Sequence, residues 1–205
     1  GWLKRLTIQL RGEEFGVQSV ADPTIIVDEI TYNSKGQRIY IRYGNQTFTD
    51  YTYDELNFRL NAILTRRDEA EGVFTTLQEI YYVFDAVGNV VRITDESHDK
   101  VFNASQIVDA SSQFVYNAMY QLVQANGREH LALGQTDYSE HADQYRAQQF
   151  VNINDAEKLS NYTRNYSYDN SGNMTQIQHI GTNSFTRNIE VSELSNKAIN
   201  DEMDT

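Results

Sequence analysis

The sequence contains no cysteine. Disulfides, thiolate metal clusters and a cysteine nucleophile are therefore excluded at the outset. Proline occurs once, at Pro23, and glycine 11 times. Positive charge is scarce too: 17 Lys plus Arg stand against 29 Asp plus Glu, a formal net charge of −12. That excess of negative charge repels phosphate and argues against nucleic acid and anionic membrane surfaces as partners. No apolar run approaches the ~18 residues of a spanning helix, so no membrane span is expected. The chain opens Gly1-Trp2-Leu3, with no basic segment leading into an apolar one, and closes Asp201-Glu202-Met203-Asp204-Thr205. No signal peptide is legible, and both ends read as cuts in a longer polypeptide.

Helical signal is thin. Asp155–Asn161 could form a short turn capped by Asn154 or Asp155, and Glu140–Phe150 is polar without a clear apolar stripe. What is abundant is tyrosine. There are 14 Tyr beside 9 Phe and 1 Trp, a composition that favours strands and argues against disorder.

A self-similar element recurs five times. Its copies are Ile30-Thr31-Tyr32-Asn33-Ser34-Lys35-Gly36, Tyr51-Thr52-Tyr53-Asp54-Glu55-Leu56-Asn57, Tyr82-Val83-Phe84-Asp85-Ala86-Val87-Gly88, Phe114-Val115-Tyr116-Asn117-Ala118-Met119-Tyr120 and Tyr166-Ser167-Tyr168-Asp169-Asn170-Ser171-Gly172. The anchors Tyr32, Tyr53, Phe84, Tyr116 and Tyr168 are unevenly spaced, as in a unit of roughly 20 residues with insertions. Each copy reads as a β-hairpin. The anchor and the residue two before it are large and apolar or aromatic, and period two puts them on one strand face. Asp or Asn follows, where its side chain can accept a backbone N–H two residues on. Three residues later, Gly36, Gly88 and Gly172 supply the positive φ that a type I turn closing into a G1 bulge requires. Asn57 fills that site in the second copy. Tyr120 occupies it in the fourth and does not suit it, so a different turn is expected there. Apolar residues restart the returning strands: Ile39 and Ile41, Leu60 and Ile63, Val90 and Ile93, Leu122 and Ala125, Met174 and Ile177.

Three blocks follow. Residues 1–125 are hairpin repeats. Residues 126–163, rich in Gln, Asn and Asp, read as a polar loop excursion with a possible short helix. Residues 164–205 carry the last clear hairpin, a strand over Phe185–Val191 and an acidic end. The expected fold is all-β: antiparallel hairpins registered side by side, with Tyr and Phe rows on one face.

The repeated Tyr-Asp-x-x-Gly-Asn signature is similar to that of the Rhs/YD-repeat family. Three stretches sharpen the likeness: Ile30–Arg38 running on through Ile41-Arg42-Tyr43-Gly44-Asn45, Phe84–Val90 with Ile93-Thr94-Asp95, and Gly127-Arg128-Glu129-His130. Together they resemble the repeat region of bacterial insecticidal toxin complex (Tc) B and C subunits, over roughly Trp2 to Ile199. The resemblance implies a curved strip of hairpins forming part of a hollow shell that encloses a toxic payload until delivery. It implies as partners the remainder of the shell polypeptide or a partner shell subunit, the enclosed payload and, indirectly, a pore-forming translocator. It also implies secretion. Teneurins use the same repeat in cell adhesion, and the lack of cysteine speaks against that branch. The family's self-cleaving core, with paired Asp residues near an Asp-Pro-Gly run, has no counterpart here, nor does the propeller that docks on the translocator. The implied role is therefore wall, not cleavage machinery or poison.

Enzyme signals are poor. The four His (His98, His130, His141, His179) include no HExxH pair, so no zinc site is expected. Glu129-His130 and Glu140-His141 read as surface polar residues in an exposed loop, or as a loop in which His130 and Arg128 make hydrogen bonds. Asp54, Asp85 and Asp169 are the most patterned acids, and turn formation accounts for them. Asp169-Asn170-Ser171-Gly172 lacks the ligand spacing of an EF-hand, and no GxSxG, Walker loop or GxGxxG is present. Asn45, Asn103, Asn161 and Asn173 begin Asn-x-Ser/Thr triplets, as an Asn-rich chain produces by composition. No catalytic residue, cofactor or metal is expected. The structural repeat residues are Tyr32, Asn33, Gly36, Tyr53, Asp54, Asn57, Phe84, Asp85, Gly88, Tyr116, Asn117, Tyr168, Asp169 and Gly172. The rival reading is a binding or adhesion module, in which the 126–163 stretch and exposed Tyr side chains recognise a protein or glycan.

Overall fold

A computed structural model describes residues 1–8, 24–70, 72–103, 105–130, 158–182, 184–192 and 198–200. Among these, apart from a 3₁₀ turn at Lys158, every regular element is a β-strand, and all the pairings described are antiparallel. The chain divides into two compact units. The first is built from residues up to Tyr82 together with Thr94–Ser97, the second from Val83–Ile93 and from His98 onward.

In the first unit, β1 (Leu6–Ile8), β2 (Thr24–Tyr32), β3 (Arg38–Tyr43), β4 (Thr47–Tyr53), β5 (Leu60–Ala70) and β6 (Val73–Phe84) pair in sequence order. Residues opposite one another share a face. Val27, Ile30 and Ile41 are buried there, with Tyr32, Tyr43 and Tyr51 packed against them. Alternation puts Phe48 on the opposite face, where it is buried under the Arg66 guanidinium and meets Phe74 edge-on, ring centroids 5.5 Å apart. Arg66 is held by Asp50 at 2.8 Å.

In the second unit, β7 (Val90–Asp95, whose last two residues count with the first unit) neighbours β10 (Ser111–Tyr116). Then β11 (Leu122–His130), β12 (Leu159–Tyr168), β13 (Met174–Ile180), β14 (Phe185–Val191) and β15 (Ala198–Asn200) follow in order. One face of this sheet carries aromatic residues: Phe114, Tyr162, Tyr166 and Phe185. The other is joined by uncharged side chains. Gln124 donates to Asn165 and Asn165 to Gln178, each at 3.1 Å, Thr163 donates to Asn126 at 2.8 Å, and Gln176 to Asn188 at 2.9 Å. A separate two-stranded hairpin, β8 (Val101–Asn103) and β9 (Gln106–Val108), is tied to β12. Asn103 donates to the Leu159 carbonyl at 2.8 Å and Asn161 to that of Ile107 at 3.0 Å, while Val108 beneath is 1% exposed.

Strand pairing reaches further into the 126–163 stretch than its composition suggests. Asn126 to His130 pair with Thr163 to Leu159. Of the helical turn expected over Asp155–Asn161, residues 155–157 lie outside the described residues, Lys158 is in a 3₁₀ turn, and Leu159–Asn161 instead begin β12, whose ladder with β11 satisfies their backbone groups. The central part of the excursion and Glu140–Phe150 lie outside the described residues.

Candidate functional surface: hairpin corners and their tyrosine stitches

Four of the five corners share one closure. The Asn33 N–H donates to the Gln37 carbonyl at 2.9 Å, and the Gly36 N–H returns to the Asn33 carbonyl at 3.0 Å. The same two bonds close Asp85 with Asn89 and Gly88, Asn117 with Gln121 and Tyr120, and Asp169 with Asn173 and Gly172. The acid or amide is the hub of each corner. Asp85 Oδ1 accepts the N–H groups of Val87, Gly88 and Asn89. The residue four after the hub, present in the Tyr-Asp-x-x-Gly-Asn signature but given no role there, completes it. Asn89 donates to Asp85 Oδ2 at 2.8 Å and Asn173 to Asp169 Oδ2 at 2.9 Å, whereas the side-chain amides of Asn33 and Asn117 donate to Gln37 Oε1 and Gln121 Oε1. An acceptor-only Asp is matched with Asn, and an Asn with Gln. The signal lay in the residue four after each hub.

Two corners differ from expectation. Tyr120 sits at φ +62 and closes the same turn as the glycines, so the fourth copy does not use a different turn. The Asn117 hub, bonded to the Met119 and Gln121 N–H groups, holds Tyr120 in a conformation its own side chain disfavours. In the second copy the positive φ falls on Phe58 (+61), not Asn57. That turn is one residue longer: Asp54 N–H bonds the Arg59 carbonyl, and Phe58 N–H bonds that of Asp54. Phe58 is held from the first corner, its carbonyl accepting Gln37 Nε2 at 2.8 Å and its ring lying under the Lys35 ammonium. Gly36, Gly88 and Gly172 lie at φ +79, +110 and +89.

Each tyrosine anchor donates its hydroxyl backwards to backbone. Tyr53 bonds the carbonyl of Arg38, the first residue of β3, at 2.9 Å. Tyr116 bonds that of Val90, the first of β7, at 3.0 Å, and Tyr168 that of Leu122, the first of β11, at 2.8 Å. Tyr32 bonds Leu3 at 2.9 Å. Phe84 has no hydroxyl to give. Burial pushes the Tyr168 phenol above its ordinary value, which keeps the donor proton in place. Tyr168→Phe is expected to cost about 1 kcal/mol by losing one neutral hydrogen bond. Thermal denaturation checks this, and an unchanged midpoint would show that the stitch contributes nothing.

The corner acids have low pKa values. Asp54 is lowered chiefly by the Asn57 N–H and then that of Leu56, and Asp169 chiefly by the Asn173 amide. At Asp85 desolvation pulls upward, but the Asn89 amide and the three backbone N–H groups outweigh it. A carboxylate with a depressed folded pKa contributes stability above its unfolded value, ordinarily 3.8, that is lost as pH falls through the folded one. Melting temperature should therefore drop on acidification below about pH 4. A triple variant with Asn at 54, 85 and 169 should show a shallower drop, and an identical acid profile would overturn the assignment.

Glu129 and His130, adjacent in sequence, point to opposite faces of β11 and form no dyad. His130 is buried at a strand end, not in an exposed loop. Glu129 instead bonds His179 Nε2 at 2.8 Å and the Thr182 N–H at 2.9 Å. His179 is 4% exposed, stacked on Phe185 and beside Tyr162, with Arg164 facing its other ring nitrogen at 3.5 Å. This knot joins β11, β12, β13 and β14, neighbours in the sheet and along the chain, but its residues lie far apart in sequence, so no local motif announces it. His141 lies outside the described residues. Among those described, no group of three or more His, Asp or Glu is placed to hold a metal ion.

No family model matches the chain. Two curated proteins do, both from Yersinia entomophaga. Toxin subunit YenC1 is 34% identical over 97% of this chain, and toxin subunit YenC2 34% identical over 85%. The chain spans about a fifth of their length, 19% and 18%. Among solved structures, the TcdB2-TccC3-Cdc42 crystal structure is similar over 98% of this chain and 9% of its own, with 33% identity and a TM-score of 0.74. A Photorhabdus luminescens Tc holotoxin pore structure is similar over 87% of this chain and 8% of its own, with 35% identity and a TM-score of 0.69. Repeat, fold and sequence likeness together identify the chain as a homologue of the Rhs/YD-repeat region of Tc toxin subunits.

Proposed function

We propose that this chain is a wall segment of a toxin-encapsulating β-shell and takes no part in bond chemistry. The observation that carries the reading is the backward tyrosine stitch. A hairpin that grips the start of the preceding return strand can be repeated without limit, and such repetition builds a strip, whereas a catalytic site needs convergence on one point. The patterned acids are consumed by corner hydrogen bonds, which fits a structural role. In a closed wall the strip would confine a payload sterically, away from proteases, until a translocator receives it. The partners would be the rest of the shell and the enclosed polypeptide, in a secreted complex. The test is substitution into a whole subunit. A Tc C subunit whose matching segment is replaced by this chain, assembled with its B subunit, should keep its payload resistant to added protease. A complex that assembles yet leaves its payload as cleavable as the free polypeptide would refute the reading.

A further inference from the structure

We propose that the cleft beneath the β8–β9 hairpin binds a neutral saccharide. The cleft has a volume of about 320 Å³ and is lined by Ile107, Asp109, Gln113, Asn126, Asn161 and Thr163, among others. That is at the lower end of small-ligand pockets and suits one or two sugar rings. Its chemistry selects the ligand class. No lining residue is cationic, so phosphate, sulfate or acidic sugars would meet no counter-charge. One carboxylate, Asp109, is too few for a divalent cation. What remains is a mixture of fixed donors and acceptors. Asp109 Oδ1 is tied by the N–H and hydroxyl of Ser111, which orients the carboxylate and leaves Oδ2 to accept hydroxyl protons. Asn161 spends its amide hydrogens on the Ile107 carbonyl and, at 3.5 Å, on Gln106, so its own oxygen is left to accept. Asn126 accepts from the Thr163 hydroxyl through its oxygen, leaving its NH₂ to donate. Vicinal sugar hydroxyls, each donor and acceptor at once, match such a set. Ile107, 65% exposed at the rim, offers an apolar surface to the C–H face of a ring. This site is independent of the container reading and stands or falls separately from it.

The test titrates the 205-residue chain with glucose, galactose, maltose and cellobiose, followed by amide chemical shifts. At least one is expected to bind with a Kd of about 1–10 mM, shifting Gln113, Asn126 and Thr163. Asp109→Asn and Gln113→Ala, each with its melting temperature checked, should weaken binding roughly tenfold or more. No shift with any sugar at about 100 mM, well above that Kd, would overturn the proposal. So would binding that survives both variants, or shifts caused only by glucuronate or an unfolded polypeptide.

Discussion

Gly44→Ala is expected to destabilise the first unit by about 3 kcal/mol, more than any other single methyl considered. A Cβ at Gly44 would lie 1.8 Å from the Ile25 carbonyl oxygen and 2.8 Å from its carbon. Both are backbone atoms and have no rotamer to escape into. Relief requires β2 to move away from the β3–β4 corner, and that loosens the Gly44 N–H bond to the Ile26 carbonyl, 3.1 Å long. The Val27–Tyr43 pair stands directly beside it, so the displacement reaches the core of Val27, Ile30 and Ile41. Gly72→Ala is the control. Its φ is +76 but a Cβ there meets nothing within 4 Å, so only the left-handed penalty of about 1 kcal/mol applies. Urea denaturation of the two variants should separate them clearly. Equal losses would mean that β2 does not press on Gly44.

The second large effect is an opposed pair at equivalent corners. Gly88 lies at φ +110, beyond the range that a β-branched residue tolerates, and Gly88→Val should cost about 1–3 kcal/mol. Tyr120 occupies the same place in the next copy of the repeat at φ +62 and is 62% exposed. Tyr120→Gly should therefore raise stability, by about 0.5–1 kcal/mol once glycine's greater unfolded-state entropy is deducted. Melting temperatures of the two variants should move in opposite directions. A loss at Tyr120→Gly would show that its exposed ring packs usefully and that strain is not what matters there.

The hairpins were legible because their determinants are local. A large residue, a small one, an aromatic, an acid and a glycine specify strand, face and corner within seven positions. Legibility failed where the backbone overrode residue type. Neither Tyr120 nor Phe58 advertises a left-handed conformation. They adopt it because the Asn117 hub and the longer Asp54 turn leave no other closure. Long-range partners were illegible for a different reason. The Glu129–His179 pair and the amide rows from Gln124 to Gln178 depend on the order of β11, β12 and β13, and around Glu129 the composition suggests a loop. The β8–β9 hairpin is short, with only three residues per strand, below the length at which alternation can be read.

The direction of the hydroxyl bonds has a bearing on biogenesis. Tyr32, Tyr53, Tyr116 and Tyr168 all reach toward residues nearer the N-terminus. During translation each newly emerged ribbon meets an acceptor that has already left the ribosome and need not wait for anything still unmade. Order of synthesis and order of docking then coincide, so a very long array can accrete vectorially with little exposed edge at any moment.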